Sequence, residues 1–140
     1  MELEVSVEVA APAAKVWAVL AAVERWPEWT ASVTSVRRLD GGELAVGSRA
    51  RIRQPGLPAA AWRVTALEPG RYFEWEASGP GMKAVAAHEV RASVSGGSAV
   101  RLSLRQTGPL SWLLGFWLAK VSRRYVEVEA QGLRRRCEGA

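Results

Sequence analysis

The chain holds one histidine, one cysteine and two tyrosines, so proton-transfer chemistry near neutral pH has few candidates. His88 is the side chain whose ordinary pKa lies closest to neutrality. It stands in an alternating stretch on the same parity as Val90, which turns it inward on a strand. There it has two readings. One is a structural histidine hydrogen-bonded to Gln106 or backbone. The other is a group that orients a ligand carbonyl or hydroxyl, or acts as general acid and base. The structural reading is the simpler one, because Glu74, Glu76 and Glu89 all fall on the outward face and no acid is placed inside. Tyr125 is the best hydroxyl partner for His88. Gln54 and Gln106 are inward by parity and suit a ligand, water or backbone equally.

Other chemistries lack their residues. His88 and Cys137 are too far apart in sequence to give a metal-ligand spacing. Neither a phosphate-cradling glycine loop nor a Gly-x-Ser-x-Gly turn is present, so no metal or cofactor is expected. Cys137, next to the polar end Glu138-Gly139-Ala140, reads as a frayed and inert thiol.

These side chains need elements to position them. From Pro109 to Cys137, the residues Leu110, Leu114, Trp117, Leu118, Val121, Tyr125, Val128 and Gly132 recur three and four apart, which predicts one face of a long helix. Pro109 suits its first turn, and Arg134, Arg135 and Arg136 suit its C-terminal end. At the other end of the chain, Leu3, Val5, Val7 and Val9 alternate with polar residues as a half-buried strand does. Pro12 then opens a helix through Val16, Trp17, Leu20 and Val23, and Trp26-Pro27-Glu28-Trp29 implies a break and a second short helical turn.

Six further strands are predicted at Val33–Leu39, Ser48–Gln54, Ala60–Leu67, Arg71–Ala77, Lys83–Val94 and Ala99–Thr107, separated by turn signals. Around Glu68-Pro69-Gly70, pairing Leu67 with Tyr72 sets Val64 against Trp75 and Arg63 against Glu76, a consistent register. Around Ser95-Gly96-Gly97-Ser98, pairing Glu89 with Arg105 sets Val90 beside Leu104 and His88 beside Gln106. Short connections between successive strands favour an antiparallel meander. The expectation is an α+β fold in one domain, residues 1–140, with two short helices after the first strand and a curved sheet around the terminal helix.

Composition narrows the partners. The formal charge is +5 and the pI about 10.1, so nucleic acid and anionic membranes need consideration. Arg49, Arg51, Arg53 and Arg134–Arg136 lack the stacking platforms that a nucleic-acid surface uses; they read as a solvated, salt-bridged surface, and no nucleic-acid partner is expected. One cysteine is compatible with a reducing cytoplasm. Met1-Glu2-Leu3-Glu4 has no signal-peptide character, and the run Leu110–Ala119 is far short of the roughly 20 residues of a membrane span. A cytoplasmic location is expected.

Taken in order, the chain resembles the START-like (SRPBCC) superfamily, in its polyketide cyclase/dehydrase and lipid-transport branch. The resemblance rests on Ala11-Pro12-Ala13-Ala14-Lys15-Val16-Trp17, Trp26-Pro27-Glu28-Trp29, Gly47-Ser48, His88, Gly96-Gly97-Ser98-Ala99-Val100 and Gly108-Pro109-Leu110. It implies a helix-grip fold, in which a seven-stranded antiparallel sheet holds the C-terminal helix. It also implies a cavity between them for a hydrophobic small molecule.

By alternation the cavity wall should include Ile52, Gln54, Trp62, Val64, Phe73, Trp75, His88, Val90, Leu102, Leu104 and Gln106, faced by Leu114, Trp117, Val121 and Tyr125 from the helix. The leading functional reading is a binder of a lipid- or polyketide-like molecule. The second is a cyclase/dehydrase-type enzyme in which His88 and Tyr125 move protons. The third uses Trp112 and Phe116, which fall off the buried stripe. They would form a cavity lip, lie under the Pro55–Pro58 loop, or contact a membrane or a second copy. Both monomer and homodimer fit the sequence.

Overall fold

In a computed structural model, which describes residues 1–139, the period-two segments form one seven-stranded antiparallel sheet in the order β1-β7-β6-β5-β4-β3-β2. The strands are β1 (Glu2–Val9), β2 (Ser35–Arg38), β3 (Arg49–Arg53), β4 (Ala60–Glu68), β5 (Tyr72–Gly79), β6 (Met82–Ala92) and β7 (Ser98–Thr107). β2 to β7 run as a meander, and β1 closes the far edge against β7. Two helices complete the chain: α1 (Ala13–Ala21), with a 3-10 turn at Val23–Glu28 after it, and α2 (Pro109–Glu138). The architecture is the expected α+β helix grip. α2 packs on the inner face of the sheet, with α1 lying against it.

Local chemistry explains the boundaries. Pro12 caps α1 rather than entering it: its carbonyl accepts the Lys15 and Val16 N–H groups. Pro27 lies inside the 3-10 turn, where Trp26 donates its indole N–H to the Leu20 carbonyl at 2.9 Å. That bond ties the turn back onto α1.

The β4–β5 pairing is as expected for Val64 with Trp75 and Arg63 with Glu76, the latter an ion pair at 3.3 Å. Nearer the turn a bulge between Val64 and Ala66 shifts the register, so that Leu67 meets Phe73 and not Tyr72. A bulge inserts one unpaired residue and leaves the pairing on either side intact.

The β6–β7 register is corrected by more. His88 pairs with Leu102, Val90 with Val100 and Glu89 with Arg101; Gln106 pairs with Ala84. The turn at Ser93–Gly97 is tighter than the composition suggested, with Ser93 N–H donating to the Gly97 carbonyl. The slide is an even number of residues, so every side chain keeps its predicted face. Glu89 stays outside, held by Arg101 at 3.0 Å and Arg91 at 3.2 Å.

Cys137 is likewise corrected. It is 1% exposed and belongs to the core beside Leu133, because α2 continues through Glu138 and seats its last turn against β1. Glu138 accepts the Ala10 backbone N–H at 2.8 Å, and burial pushes the Cys137 thiol up from its ordinary pKa.

Candidate functional site

The two halves of α2 meet the sheet differently. Toward the C-terminus, Ala130, Leu133 and Cys137 are buried, and Gly132 lets the helix touch the backbone of Trp29 and Thr30. Beside this contact an aromatic cluster fills the interior. Trp26 lies 5.7 Å from Trp29 and 5.4 Å from Trp75, and Phe73 meets Trp75 edge-on at 5.2 Å. Toward the N-terminus the inner side of α2 carries Ser111, Leu118 and Ser122, and the sheet beneath carries Ala60, Ala77, Ala84 and Ala86. Short side chains on both walls leave a cavity of about 560 Å³, within the usual range for small-molecule sites. Exposed wall residues include Pro58 on the β3–β4 loop, Ser78 and Gly79 at the end of β5, and Pro80 on the β5–β6 turn. The mouth therefore lies between those two connections and the start of α2.

Of the predicted wall, Ile52, Gln54, Trp62, Trp75, His88, Leu102, Leu104, Gln106 and Tyr125 line this cavity. Val64, Phe73 and Val90 also point inward but are fully buried in the core. From the helix, Leu114 and Trp117 are 36% and 53% exposed and, with Val121, stand outside the wall. The inward stripe keeps Leu110, Leu118 and Tyr125 and is turned, by less than one residue's step of about 100°, to take in Ser111, Ser122, Val126 and Glu129. A face that borders a void has no need to be apolar throughout. Apolar periodicity therefore points slightly wide of it.

That rotation brings in the residue the sequence reading missed. Glu129 lies in the cavity wall, its side chain 14% exposed, with Oε2 4.0 Å from His88 Nε2. The only hint in the sequence is its spacing of seven residues from Ser122, two turns along the same face. His88 is stacked on Phe73 with ring centres 4.2 Å apart and 10° between planes, and Trp26 and Trp75 close round it at 5.5 and 6.0 Å. Its Nδ1 lies 3.3 Å from the Phe73 carbonyl. An N–H there donates to the carbonyl, which leaves the Nε2 lone pair facing Glu129.

The aromatic cage excludes water from His88 and lowers its pKa to about 4, offset in part by the Phe73 carbonyl. Burial raises Glu129 to about 8. Near neutral pH the pair is thus a neutral imidazole beside a protonated carboxyl, a base and an acid in one pocket. At 4.0 Å they are beyond hydrogen-bond reach of each other, and an oxygen placed beside them can reach both. Gln106, 8% exposed, accepts a long bond from the Ser122 hydroxyl at 3.5 Å. Gln54 donates to the Ser32 carbonyl at 3.2 Å, near the rim.

Tyr125 has another partner. Its hydroxyl donates to the Pro55 carbonyl, which fastens α2 to the β3–β4 loop. The expected pairing of His88 with Tyr125 is replaced by His88 with Glu129, because the tyrosine oxygen is engaged at the rim. Tyr125→Phe should lower stability by about 1 kcal/mol. It should also speed hydrogen exchange at the Leu57 amide, which is held by the Gln54 carbonyl at 3.1 Å. Unchanged exchange in that loop would show the latch to be unimportant.

A curved antiparallel sheet gripping a long helix over a partly polar cavity defines a START-like, helix-grip protein. The chain belongs to the polyketide cyclase / dehydrase and lipid transport family, whose profile it matches over residues 1–138. Among solved structures it is similar to the Zhui aromatase/cyclase from Streptomyces sp. R1128, with 20% identity, 99% of this chain and 93% of that one covered, and a TM-score of 0.79. It is similar to a START superfamily protein from Mycobacterium smegmatis, with 18% identity, 98% and 97% coverage and a TM-score of 0.76. It also resembles the di-domain ARO/CYC BexL of the BE-7585A biosynthetic pathway, at 21% identity, 96% and 45% coverage and a TM-score of 0.76. These likenesses are of fold. No curated protein sequence matches the chain.

Proposed function

We propose that the protein binds a largely apolar small molecule, lipid- or polyketide-like, whose polar end lies against His88 and Glu129. The observation that carries this reading is the roughly 560 Å³ cavity, walled largely by alanines and aromatics, with His88 and Glu129 side by side in its wall. Apolar walls provide affinity and a few polar groups fix orientation. A neutral carboxyl donates a hydrogen bond and a neutral imidazole accepts one, which suits a carbonyl or hydroxyl better than a charged group.

Ala84 lines the cavity and faces α2 from β6. Ala84→Phe should weaken binding of an apolar fluorescent probe by roughly tenfold or more, and hold or raise the thermal midpoint by filling space. Native mass spectrometry of the purified wild type should find an apolar molecule retained. A protein that purifies empty and ignores such probes would end this reading.

One observation favours a second reading, that of a cyclase/dehydrase-type enzyme. His88 Nε2 and the Glu129 carboxyl present a base and an acid to the same space. In an aldol closure, His88 would take the proton from the carbon next to a carbonyl while Glu129 protonates the accepting carbonyl oxygen. In dehydration, Glu129 would protonate the departing hydroxyl. Under this reading His88→Gln and Glu129→Gln retain probe binding and lose turnover of a polyketone by roughly a hundredfold or more; under simple binding no turnover exists to lose.

A further inference from the structure

The first two turns of α2 carry a patch that the cavity does not use. Trp112 is 85% exposed, Phe116 91%, Leu113 72% and Trp117 53%. The pairs Trp112–Phe116 and Leu113–Trp117 are each four apart, so the four side chains form one continuous outward surface. Trp112 and Phe116 do not lie under the Pro55–Pro58 loop. Soluble surfaces seldom leave so many large apolar groups together.

Charge selects the occupant. Lys120, Arg123 and Arg124 are exposed one turn further on, and no Asp or Glu occurs from Pro109 to Val126. Arg123 reaches Glu127 only at 4.0 Å, both side chains more than half exposed; among the described residues Lys120 and Arg124 have no acidic partner. Aromatic and leucine side chains beside an uncompensated cationic turn are the pattern of a helix lying in a lipid–water interface. A second copy docked through the same segment would bring no acidic residue from it to meet these cations.

Position adds a second argument. Leu110 and Leu118 on the same turns line the cavity, together with Pro58 and Pro80 at its mouth. The Leu110 N–H donates to the Gly81 carbonyl at 2.8 Å, which fixes the patch beside the β5–β6 turn.

We infer that the start of α2 docks this protein on an anionic lipid surface, with Trp112, Leu113, Phe116 and Trp117 in the interface, Lys120, Arg123 and Arg124 on the headgroups, and the cavity mouth turned to the membrane. The inference stands whether the cavity holds a ligand or performs a reaction. No helix of the described residues is long and apolar enough to cross a bilayer, so the contact is peripheral.

The test is flotation of the full chain at low salt with vesicles of phosphatidylcholine, and with vesicles of phosphatidylcholine mixed with phosphatidylserine. The wild type should partition onto the mixed vesicles, and raised salt should release it. Trp112→Ser with Phe116→Ser should reduce partitioning by at least roughly tenfold, because about two aromatic side chains no longer leave water. Lys120→Gln and Arg124→Gln should each reduce it by roughly fivefold, the equivalent of about 1 kcal/mol per cation near the surface. All of these residues lie outside the cavity wall, so thermal midpoints and probe binding should be unchanged. The inference is overturned if the wild type ignores the mixed vesicles, or if the double variant floats as the wild type does. It is equally overturned if the wild type is a dimer that the double variant dissolves while vesicles have no effect, since a second copy then covers the patch.

Discussion

Glu129→Gln should raise the thermal midpoint of the protein above pH 6.5 and leave it unchanged below pH 4.5. Burial raises the Glu129 carboxyl from 4.5 to about 8, so the folded protein keeps a proton there that the unfolded chain has released. Stability then falls as pH rises through this interval, because the folded state binds the extra proton. His88 acts in the opposite direction. Its pKa drops from 6.5 to about 4 in the fold, so the unfolded chain binds the extra proton and stability falls as pH drops through that range.

Between pH 4.5 and 6.5 the two slopes oppose and cancel, since each state then holds one proton on the pair. From pH 6.5 to 8 only the Glu129 slope remains, and the wild type should lose stability there. The full shift corresponds to at most about 5 kcal/mol, and water reaching the cavity lowers this to on the order of 2–4 kcal/mol. For a chain of this length that is roughly 5–15 °C in midpoint. The glutamine variant keeps the shape and carries no ionisable group, so its profile should be flat from pH 6.5 to 8. Superimposable profiles for the two proteins across that window would mean the Glu129 carboxyl is solvated and already ionised, and the acid–base reading of the site would lose its acid.

The second large effect is expected at Gly132. A Cβ built there falls far inside contact distance of the Trp29 carbonyl oxygen and lies 3.1 Å from its carbonyl carbon. Both obstacles are backbone, so no rotamer change relieves them. Gly132→Ala must lift α2 off the segment after the 3-10 turn, in the tightest part of the core, at a cost of about 3 kcal/mol or more. Gly115, in the same helix, is the internal control. Nothing lies within 4 Å of its Cβ position, so Gly115→Ala should stabilise by roughly 0.5–1 kcal/mol through helix propensity. Chemical denaturation of the two variants should therefore give opposite signs. A destabilisation at Gly132 no larger than about 1 kcal/mol would show that the helix–turn contact is loose.

Why some features were legible in the sequence follows from periodicity. Strand alternation survives errors in pairing, so Ile52, Trp62, Trp75, His88, Leu102 and Gln106 were placed on the inner face even though β6 and β7 pair four residues away from the register inferred from their turn. An even slip preserves the face. On α2 the same logic fails, because 3.6 residues per turn means that an error of one position turns a side chain by about 100°. The exposed Leu114 and Trp117 drew the apolar stripe toward themselves. Ser122 and Glu129, being polar, add nothing to an apolar stripe.

The amino-acid sequence by itself determined the element order, the two faces of every strand, the α+β class and the inward aim of the lone histidine. These are local patterns that any neighbouring element must accept. Tertiary structure decided the rest: that alanines on the sheet and serines on the helix leave about 560 Å³ unfilled, that Tyr125 is taken by the Pro55 carbonyl, and that Glu129 comes within 4.0 Å of His88. Those facts depend on how far α2 stands from the sheet and how it is rotated. Both are set by Gly132 seated on the Trp29 backbone and by the aromatic cluster beside it, and they arise only when residues far apart in the chain are packed together.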